Sequence, residues 1–224
     1  FAIIVPNLSD KNTLINIAKT ARLQLNIPIC YSGQYINGGV SIGCAIYPQD
    51  AQNSSNLLRC ADIALNDLKI SGRGGIRVFK TAMFKAIEMT TKQLSLAREI
   101  IHNNKILPFY QPKVNLQTGQ VIGFEALLRW YDAEAKIQLP AHIFSAFQDY
   151  ELATRISATM QLKIFKDMTQ WLEMGMQLLP ISINAAPVEF LRDNYAETLL
   201  NRLAQFNIPF SMIEIEITEQ SLSE

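Results

Sequence analysis

Several features are scarce or missing in this 224-residue sequence. It has no run of 18 apolar residues and no secretory signal, so it contains no candidate membrane-spanning helix. The cysteines are odd in number and lack CxxC spacing, which excludes a disulfide framework or a zinc site and predicts buried, reduced thiols at Cys30, Cys44 and Cys60. These absences predict a cytoplasmic protein. Because the chain opens on FAIIVP without a Met, we expect a segment of a longer protein, which leaves room for a membrane anchor elsewhere in it.

Excess charge of either sign is also missing, since 20 basic residues balance 20 acidic residues and no long basic run occurs. That balance argues against a nucleic-acid polymer or an anionic membrane as partner, and it leaves a small anionic ligand open. A hydrophobic content of 49% is enough for one large or two modest domains with real cores.

The first 80 residues alternate between strand and helix patterns. The apolar run 1–5, ended by Pro6, predicts a buried strand. A helical apolar stripe follows, with Asp10 or Asn12 as the predicted N-cap, and a second helix is expected to begin at Ser54 or Ser55 and to stop at Gly72. Alternating residues in 40–46 and the run 76–79 predict two further strands.

Three stretches of this region, FAIIVP, VSIGCAIYPQD and LLRCADIALNDLKISGRGGIRVF, resemble the C-terminal part of a GGDEF domain, the diguanylate cyclase fold. The resemblance covers residues 1–80 and implies that Lys69 and Arg73 contact nucleotide phosphates, with GTP as the expected ligand. The alternative is that both cations merely complement a helix C-terminus. Where the family has ALYxAK and GRN, this chain has ALNDLK and GRG, so a cyclase and a regulatory domain both stay open.

Residues 81–104 have helical spacing without Gly or Pro and predict an interdomain helix. The stretch VIGFEALLRW that follows at 121–130 has strand spacing, with Glu125 and Arg129 on one face and only apolar residues on the other. Four residues of strand span about 13 Å, too far for a simple ion pair. Two explanations remain: a bound metal or anionic ligand, or an edge strand with solvated charges.

The remaining stretches predict a strand at 106–116 that returns through a turn at 117–120 to pair antiparallel with the 121–130 strand. Two helical stretches after Pro140 come next, the second at about 151–174, followed by a short strand ISIN, a helix, and a strand MIEIEITE. In that last strand the isoleucines share one face, whereas Glu214 and Glu216 share the other. The alternation of strand and helix predicts a parallel α/β unit.

Four motifs, FYQPKVNL, GFEALLRW, SINAAPVEF and IEIEITEQSL, occur in the order and spacing of an EAL domain, the cyclic-di-GMP phosphodiesterase with a TIM-like barrel. The resemblance implies metal ligands at Glu125, Asn184 and Glu216 and dinucleotide contacts from Gln111 and Arg129. It also implies that Glu219 steadies a nearby active-site loop, and it gives Glu125 and Glu219 as the catalytic residues. Oxygen ligands of this kind suit Mg²⁺ or Mn²⁺, and we expect Glu125 and Glu216 on neighbouring strands.

The expected fold is therefore α/β: the C-terminal part of a GGDEF domain at 1–80, a helix at 81–104, and at 105–224 the first half of a TIM-like (β/α)8 barrel, which in full takes about 250 residues. The expected function is hydrolysis of cyclic di-GMP to linear pGpG by two metal ions, with a homodimer through the EAL domain. The alternative is an inactive module that senses cyclic di-GMP or GTP. It stays open because AFQDYELATRI replaces the usual AE pair and glycine of the family.

Overall fold

In the computed structural model, which describes residues 1–8, 10–36, 38–70, 74–192 and 194–217, the chain forms two units, 1–89 and 90–224. The helix that crosses this division spans Thr81–His102, as the sequence predicts for the interdomain helix. The finer division into 1–80, 81–104 and 105–224 stays a prediction. Among the described residues, no helix is both long and apolar enough to cross a membrane.

The first unit contains two short sheets and two helices that precede the crossing helix. Its elements are α1 (Lys11–Leu25), β1 (Ile29–Tyr31), β2 (Gln34–Ile36), β3 (Ser41–Cys44), α2 (Ser54–Ile70) and β4 (Gly75–Val78). Strands β1 and β2 pair antiparallel, whereas β3 and β4 are parallel neighbours. A small core forms where α2 and the end of β4 meet, around Cys60, Ile63, Ala64 and Phe79.

Side-chain caps decide where the two helices of this unit begin. Asp10 caps α1, because its Oδ1 accepts hydrogen bonds from the N–H groups of Asn12 and Thr13 at 2.6 and 3.0 Å, which confirms one of the two predicted caps. For α2 the predicted serine cap is wrong. Ser54 is already helical, and Asn53 Oδ1 accepts the N–H of Asn56 at 2.8 Å.

Two predictions for this unit are wrong for one physical reason: neither segment is covered by other elements. Residues 1–5 form no strand and are largely exposed, because no neighbouring strand in the described structure pairs with them. Cys30 is exposed on the short β1 strand, whereas Cys44 and Cys60 are buried as predicted. Burial raises the pKa of both the Cys44 and the Cys60 thiol.

The second unit begins within the crossing helix, α3 (Thr81–His102), and is built on one mixed sheet. Its strands and helices are β5 (Leu107–Val114), β6 (Val121–Tyr131), β7 (Ile137–Gln138), α4 (Tyr150–Glu173), β8 (Ile181–Ala185), α5 (Tyr195–Gln205) and β9 (Ile213–Ile217). Short 3-10 helices lie at Pro140–Gln148, Pro187–Leu191 and Phe210–Met212. The first predicted helical stretch after Pro140 is thus a 3-10 segment.

The strand order β5-β6-β8-β9 contains the predicted antiparallel pair and the predicted parallel unit. Strand β6 pairs antiparallel with β5 through the turn after Val114, and it pairs in parallel with β8, which in turn is parallel to β9. Because β6 has a neighbour on each side, the explanation of its charges by an edge strand is wrong. Those charges therefore lie inside the sheet, where they need polar partners.

One face of β6 forms the core of the second unit. Ala126, Leu128 and Trp130 are each at most 8% exposed, and they belong to the same cluster as the buried positions of α4 and α5. On α4 the side chains of Phe165 and Met168 are fully buried, and Phe165 makes an edge-on ring contact with Phe206. Because one face of the sheet packs against the helices in the core, the polar residues lie on the opposite face.

Candidate functional site

Four neighbouring strands place polar side chains on the face of the sheet opposite the core. The side chains occur at alternate positions, which in a strand lie on the same face. They are Gln111 and Lys113 on β5, Glu125 on β6, Ser182 and Asn184 on β8, and Glu214 and Glu216 on β9. Gln111 is the register partner of Glu125, and Asn184 is that of Glu216, so the polar residues form one continuous patch.

The three residues predicted as metal ligands lie on consecutive strands of this patch. Asn184 Nδ2 donates a hydrogen bond to Glu125 Oε1 at 2.8 Å. The prediction that Glu125 and Glu216 lie on neighbouring strands is wrong, because β8 lies between their strands. The strands that carry Glu125 and Glu216 are therefore two strand spacings apart, about 10 Å. Asn184 therefore lies on the strand between the two acids, bonded to Glu125 and in register with Glu216.

Lys113 makes the densest set of contacts in the patch, and the sequence prediction had given it no role. Its ammonium donates hydrogen bonds to Ser182 Oγ, to Glu216 Oε1 at 2.8 Å and to Glu214 Oε2 at 3.4 Å. Ser182, which is fully buried, donates to Glu214 Oε2 at 2.6 Å. The alternate polar spacing in β5 and β8 was the signal that could have identified Lys113 and Ser182.

A glycine allows Lys113 to make these contacts. Lys113 stands opposite Gly123 on β6, yet its ammonium bonds residues of β8 and β9, so its side chain extends across β6. Gly123 has no side chain to obstruct that path. A Cβ there would also lie 2.8 Å from the carbonyl oxygen of Pro180, so the close approach of the chain before β8 requires glycine as well.

Hydrogen bonds within the patch shift the pKa values of two ionisable groups, Lys113 and Glu214. The hydrogen bond to Glu216 is the largest influence on Lys113 and raises the pKa of its ammonium, although partial burial opposes the shift. The hydrogen bond from Ser182, followed by that from Lys113, lowers the pKa of the Glu214 carboxyl. Lys113 is therefore a protonated cation and Glu214 an anion near neutral pH.

The remaining predicted residues lie in different surroundings. Arg129 is half-buried on β6, and its Nη1 donates to the carbonyl of Leu128 at 2.7 Å. Lys69 is exposed in the last turn of α2. Arg73 and Glu219 lie outside the described residues. The structure thus brings Gln111, Glu125, Asn184 and Glu216 into one patch, with Arg129 further along β6.

The donor chemistry of the patch suits a hard divalent cation. Within the described ranges, no three His, Cys, Asp or Glu side chains are grouped so that they could hold a metal ion. The third donor here is an amide: the carboxylates of Glu125 and Glu216 flank Asn184, whose oxygen becomes available if the amide rotates by half a turn. Oxygen donors of this kind are those that Mg²⁺, Mn²⁺ and Ca²⁺ prefer. The three residues therefore fit the predicted metal.

A second polar cluster lies on the helical side of the sheet. Glu189 is only 5% exposed, and its Oε1 accepts the backbone N–H of Ala186 at 2.8 Å. Burial raises the pKa of the Glu189 carboxyl, although this hydrogen bond opposes the shift. Nearby, Arg202 donates to Gln161 at 2.5 Å, and both residues line a cavity of about 160 Å³ with Glu189.

Two family models match the chain. The one described as the EAL domain matches residues 93–224, which includes the whole polar patch, and the one described as "Diguanylate cyclase, GGDEF domain" matches residues 1–75. This chain belongs to the EAL domain family. The α/β fold class that the motifs predicted is thereby confirmed, as is the GGDEF resemblance of the first unit. EAL domains generally depend on divalent metal ions.

Relatives of this EAL chain are longer proteins. It is 26% identical over 198 residues to the bifunctional diguanylate cyclase/cyclic di-GMP phosphodiesterase MucR of Pseudomonas aeruginosa, covering 88% of this chain and 29% of that protein. It is 24% identical over 224 residues to the cyclic di-GMP phosphodiesterase PdeR of Escherichia coli, covering 100% of this chain and 33% of that protein. The chain therefore spans about a third or less of these relatives.

A solved structure of the PaMucR phosphodiesterase in complex with c-di-GMP shows the same fold as this EAL domain. The TM-score is 0.54 and the identity 24%, over 59% of this chain and 53% of that chain. At this identity the likeness concerns the fold.

Proposed function

We propose that the protein containing this chain hydrolyses cyclic di-GMP to the linear dinucleotide at its EAL domain. The observation that carries the proposal is the patch in which Glu125, Asn184 and Glu216 come from three consecutive strands of one sheet. The activities named for the relatives MucR and PdeR support the choice of substrate. Because the chain spans only part of those relatives, the activity is proposed for the complete protein.

Each residue of the patch has a separate role in this proposal. Glu125, Asn184 and Glu216 hold the metal, which we propose is Mg²⁺ or Mn²⁺. When bound, such ions activate a water molecule and stabilise charge on a phosphodiester under attack. Gln111 is exposed next to Glu125 in register, where its amide can hydrogen-bond the dinucleotide. Glu219 keeps its proposed role at a catalytic loop.

Arg129 is the proposed phosphate contact. Its guanidinium donates to a backbone carbonyl and lies on the strand that carries Glu125, four residues further along. A planar guanidinium can bind two phosphate oxygens at once, which an ammonium cannot do with the same geometry. Arg129 therefore holds the substrate, whereas Glu125 holds the metal.

The first test replaces Glu125 by Ala in the complete protein. Hydrolysis of cyclic di-GMP should fall at least about 100-fold while the circular dichroism spectrum is kept, since even a residue that only orients a metal ligand contributes 10- to 100-fold. Glu134→Ala is the matched control, because Glu134 is an exposed glutamate of the same domain whose partner is Lys136. Undiminished turnover in Glu125→Ala would exclude the proposed role.

A second candidate function is a sensor that binds cyclic di-GMP without hydrolysing it. The contact between Lys113 and Glu216 favours it, because a proposed metal ligand is already neutralised by a side chain of the same domain. Tight binding of cyclic di-GMP with no product in saturating Mg²⁺ or Mn²⁺ would decide for the sensor. Hydrolysis that depends on Glu125 would decide for the enzyme.

Two further partners are proposed on the family resemblance. GTP is proposed for the GGDEF unit, as a cyclase substrate or a regulatory ligand, with Lys69 and Arg73 at its phosphates. A titration of GTP against Lys69→Ala tests that site. A homodimer through the EAL domain is the other proposal, and light scattering of the complete protein at several concentrations tests it.

A further inference from the structure

The ammonium of Lys113 uses all of its hydrogen-bonding capacity within the patch. An ammonium has three N–H donors, and three acceptors surround this one: Ser182, Glu214 and Glu216. Two of those acceptors are carboxylates, so a single positive charge stands between two negative charges. In the described structure Lys113 thus occupies the place that a bound cation would take beside these two acids.

Glu216 connects this ammonium to the proposed metal site. Its Oε1 accepts from Lys113 at 2.8 Å, and its strand position is in register with Asn184, which in turn bonds Glu125. A divalent ion bound by Glu125, Asn184 and Glu216 would therefore share one carboxylate with the ammonium. Two cations on one carboxylate repel each other, and each reduces the charge available to the other.

We propose that the ammonium of Lys113 neutralises the acids of this site in place of a metal ion and that its positive charge lowers the affinity of the site for divalent metal. The inference rests on the proposed metal site and deepens it, because it names a residue outside the ligand set that limits metal binding. The side chains of Lys113 and Glu216 are 37% and 39% exposed, so the ammonium has room to withdraw when a metal ion binds. Lys113 acts through its contact with Glu216 and is not itself one of the proposed metal ligands.

The test compares Lys113→Gln and Lys113→Met with the wild type in the complete protein, using Mn²⁺ alone as the probe. Glutamine keeps hydrogen-bond donors near Ser182 and Glu216 but removes the charge. If charge sets the affinity, both variants should bind Mn²⁺ about tenfold more tightly by calorimetric titration and should show a larger rise in melting temperature with Mn²⁺. Without metal, both should melt at a lower temperature, because two carboxylates lose their counter-ion.

Lys163→Met is the matched control. Lys163 is a partly buried lysine of the same unit, and its ammonium donates to the backbone carbonyls of Asn104 and Ile106 rather than to acids. Its replacement should leave the Mn²⁺ affinity at the wild-type value. Equal or weaker Mn²⁺ binding by Lys113→Gln would overturn the proposal, since Lys113 would then only hold Glu216 in place.

A metal-free measurement separates this proposal from the metal site itself. Glu214→Gln removes one of the two acids, so it should recover part of the melting temperature that Lys113→Gln loses. Additive effects of the two substitutions would overturn the counter-ion role. If neither the wild type nor Lys113→Gln binds Mn²⁺, the proposed metal site fails; if both bind it with equal affinity, only the role of Lys113 fails.

Discussion

Gly43 offers a quantitative test of how α2 packs on β3. A Cβ built at Gly43 would lie 2.1 Å from the carbonyl oxygen of Ala61 and 2.5 Å from the backbone nitrogen of Leu65. Both atoms belong to the backbone of α2, so no side-chain rotation relieves the contact. To extend the shorter distance from 2.1 Å to about 3.4 Å, α2 must move away by about 1.3 Å.

The expected cost of Gly43→Ala follows from that displacement. Overpacking a well-packed site costs about 1 to 3 kcal/mol, occasionally more. A gap of about 0.5 to 1 Å already loses a quarter to a half of the dispersion attraction between the separated surfaces, so a shift of this size adds to the strain. We therefore expect the free energy of unfolding of the first unit to fall by about 3 kcal/mol or more.

Two other glycines of the same unit provide graded controls. At Gly39 a Cβ meets nothing within 4 Å, and at Gly75 it lies 3.2 Å from a terminal methyl of Leu68, which can rotate. Gly39→Ala should be neutral or stabilise by up to about 1 kcal/mol by reducing the freedom of the unfolded chain. Gly75→Ala should lie between the two.

Chemical denaturation followed by far-UV circular dichroism measures this series. The expected order of stability is Gly39→Ala, then Gly75→Ala, then Gly43→Ala. A Gly43→Ala variant within about 1 kcal/mol of the wild type would refute the reasoning, because the helix would then have moved at almost no cost.

Two further predictions concern the second unit. Arg129→Ala should weaken cyclic di-GMP binding while leaving the rise in melting temperature with Mn²⁺ unchanged, and loss of the Mn²⁺ response with unaltered dinucleotide affinity would reverse the roles assigned on β6. Glu189 has a raised pKa in the folded state, so it contributes stability that is present below its unfolded pKa of about 4.3 and is lost as pH rises through the folded pKa. In denaturant titrations the stability of Glu189→Gln relative to the wild type should therefore increase as the pH rises above about 4, and a difference that does not change with pH would contradict the shift.

Local patterns in the sequence were enough for most of the secondary structure. The apolar spacing around α1 and the acid at Asp10 predicted both the helix and one of its two candidate caps, since helix spacing and capping involve residues within one turn. The alternation in β6 and β9 predicted which residues share a face for the same reason. The predicted strand at 1–5 failed because a strand needs a partner, and a local pattern does not supply one.

Part of the candidate site could likewise be predicted from the sequence. Glu125, Asn184 and Glu216 were identified by motif, and the structure places them on consecutive strands of one patch. The position of Glu216 relative to Glu125 was predicted wrongly, because strand order depends on the crossovers between strands and these are not encoded in the strands themselves. Lys113 was missed although its alternate polar spacing with Gln111 is visible in the sequence, because its partners on β8 and β9 are fixed by the strand order.

The sequence by itself thus determined the family, most of the elements and the chemistry of the donor residues, all of which follow from residue type and short-range spacing. Only the tertiary structure decided that Asn184 stands between the two acids and that Lys113 reaches Glu214 and Glu216. Those facts depend on the order and register of four strands, of which only β5 and β6 follow each other closely in sequence. A shift of one residue in any strand turns its side chains to the other face, so the patch exists only in the assembled sheet.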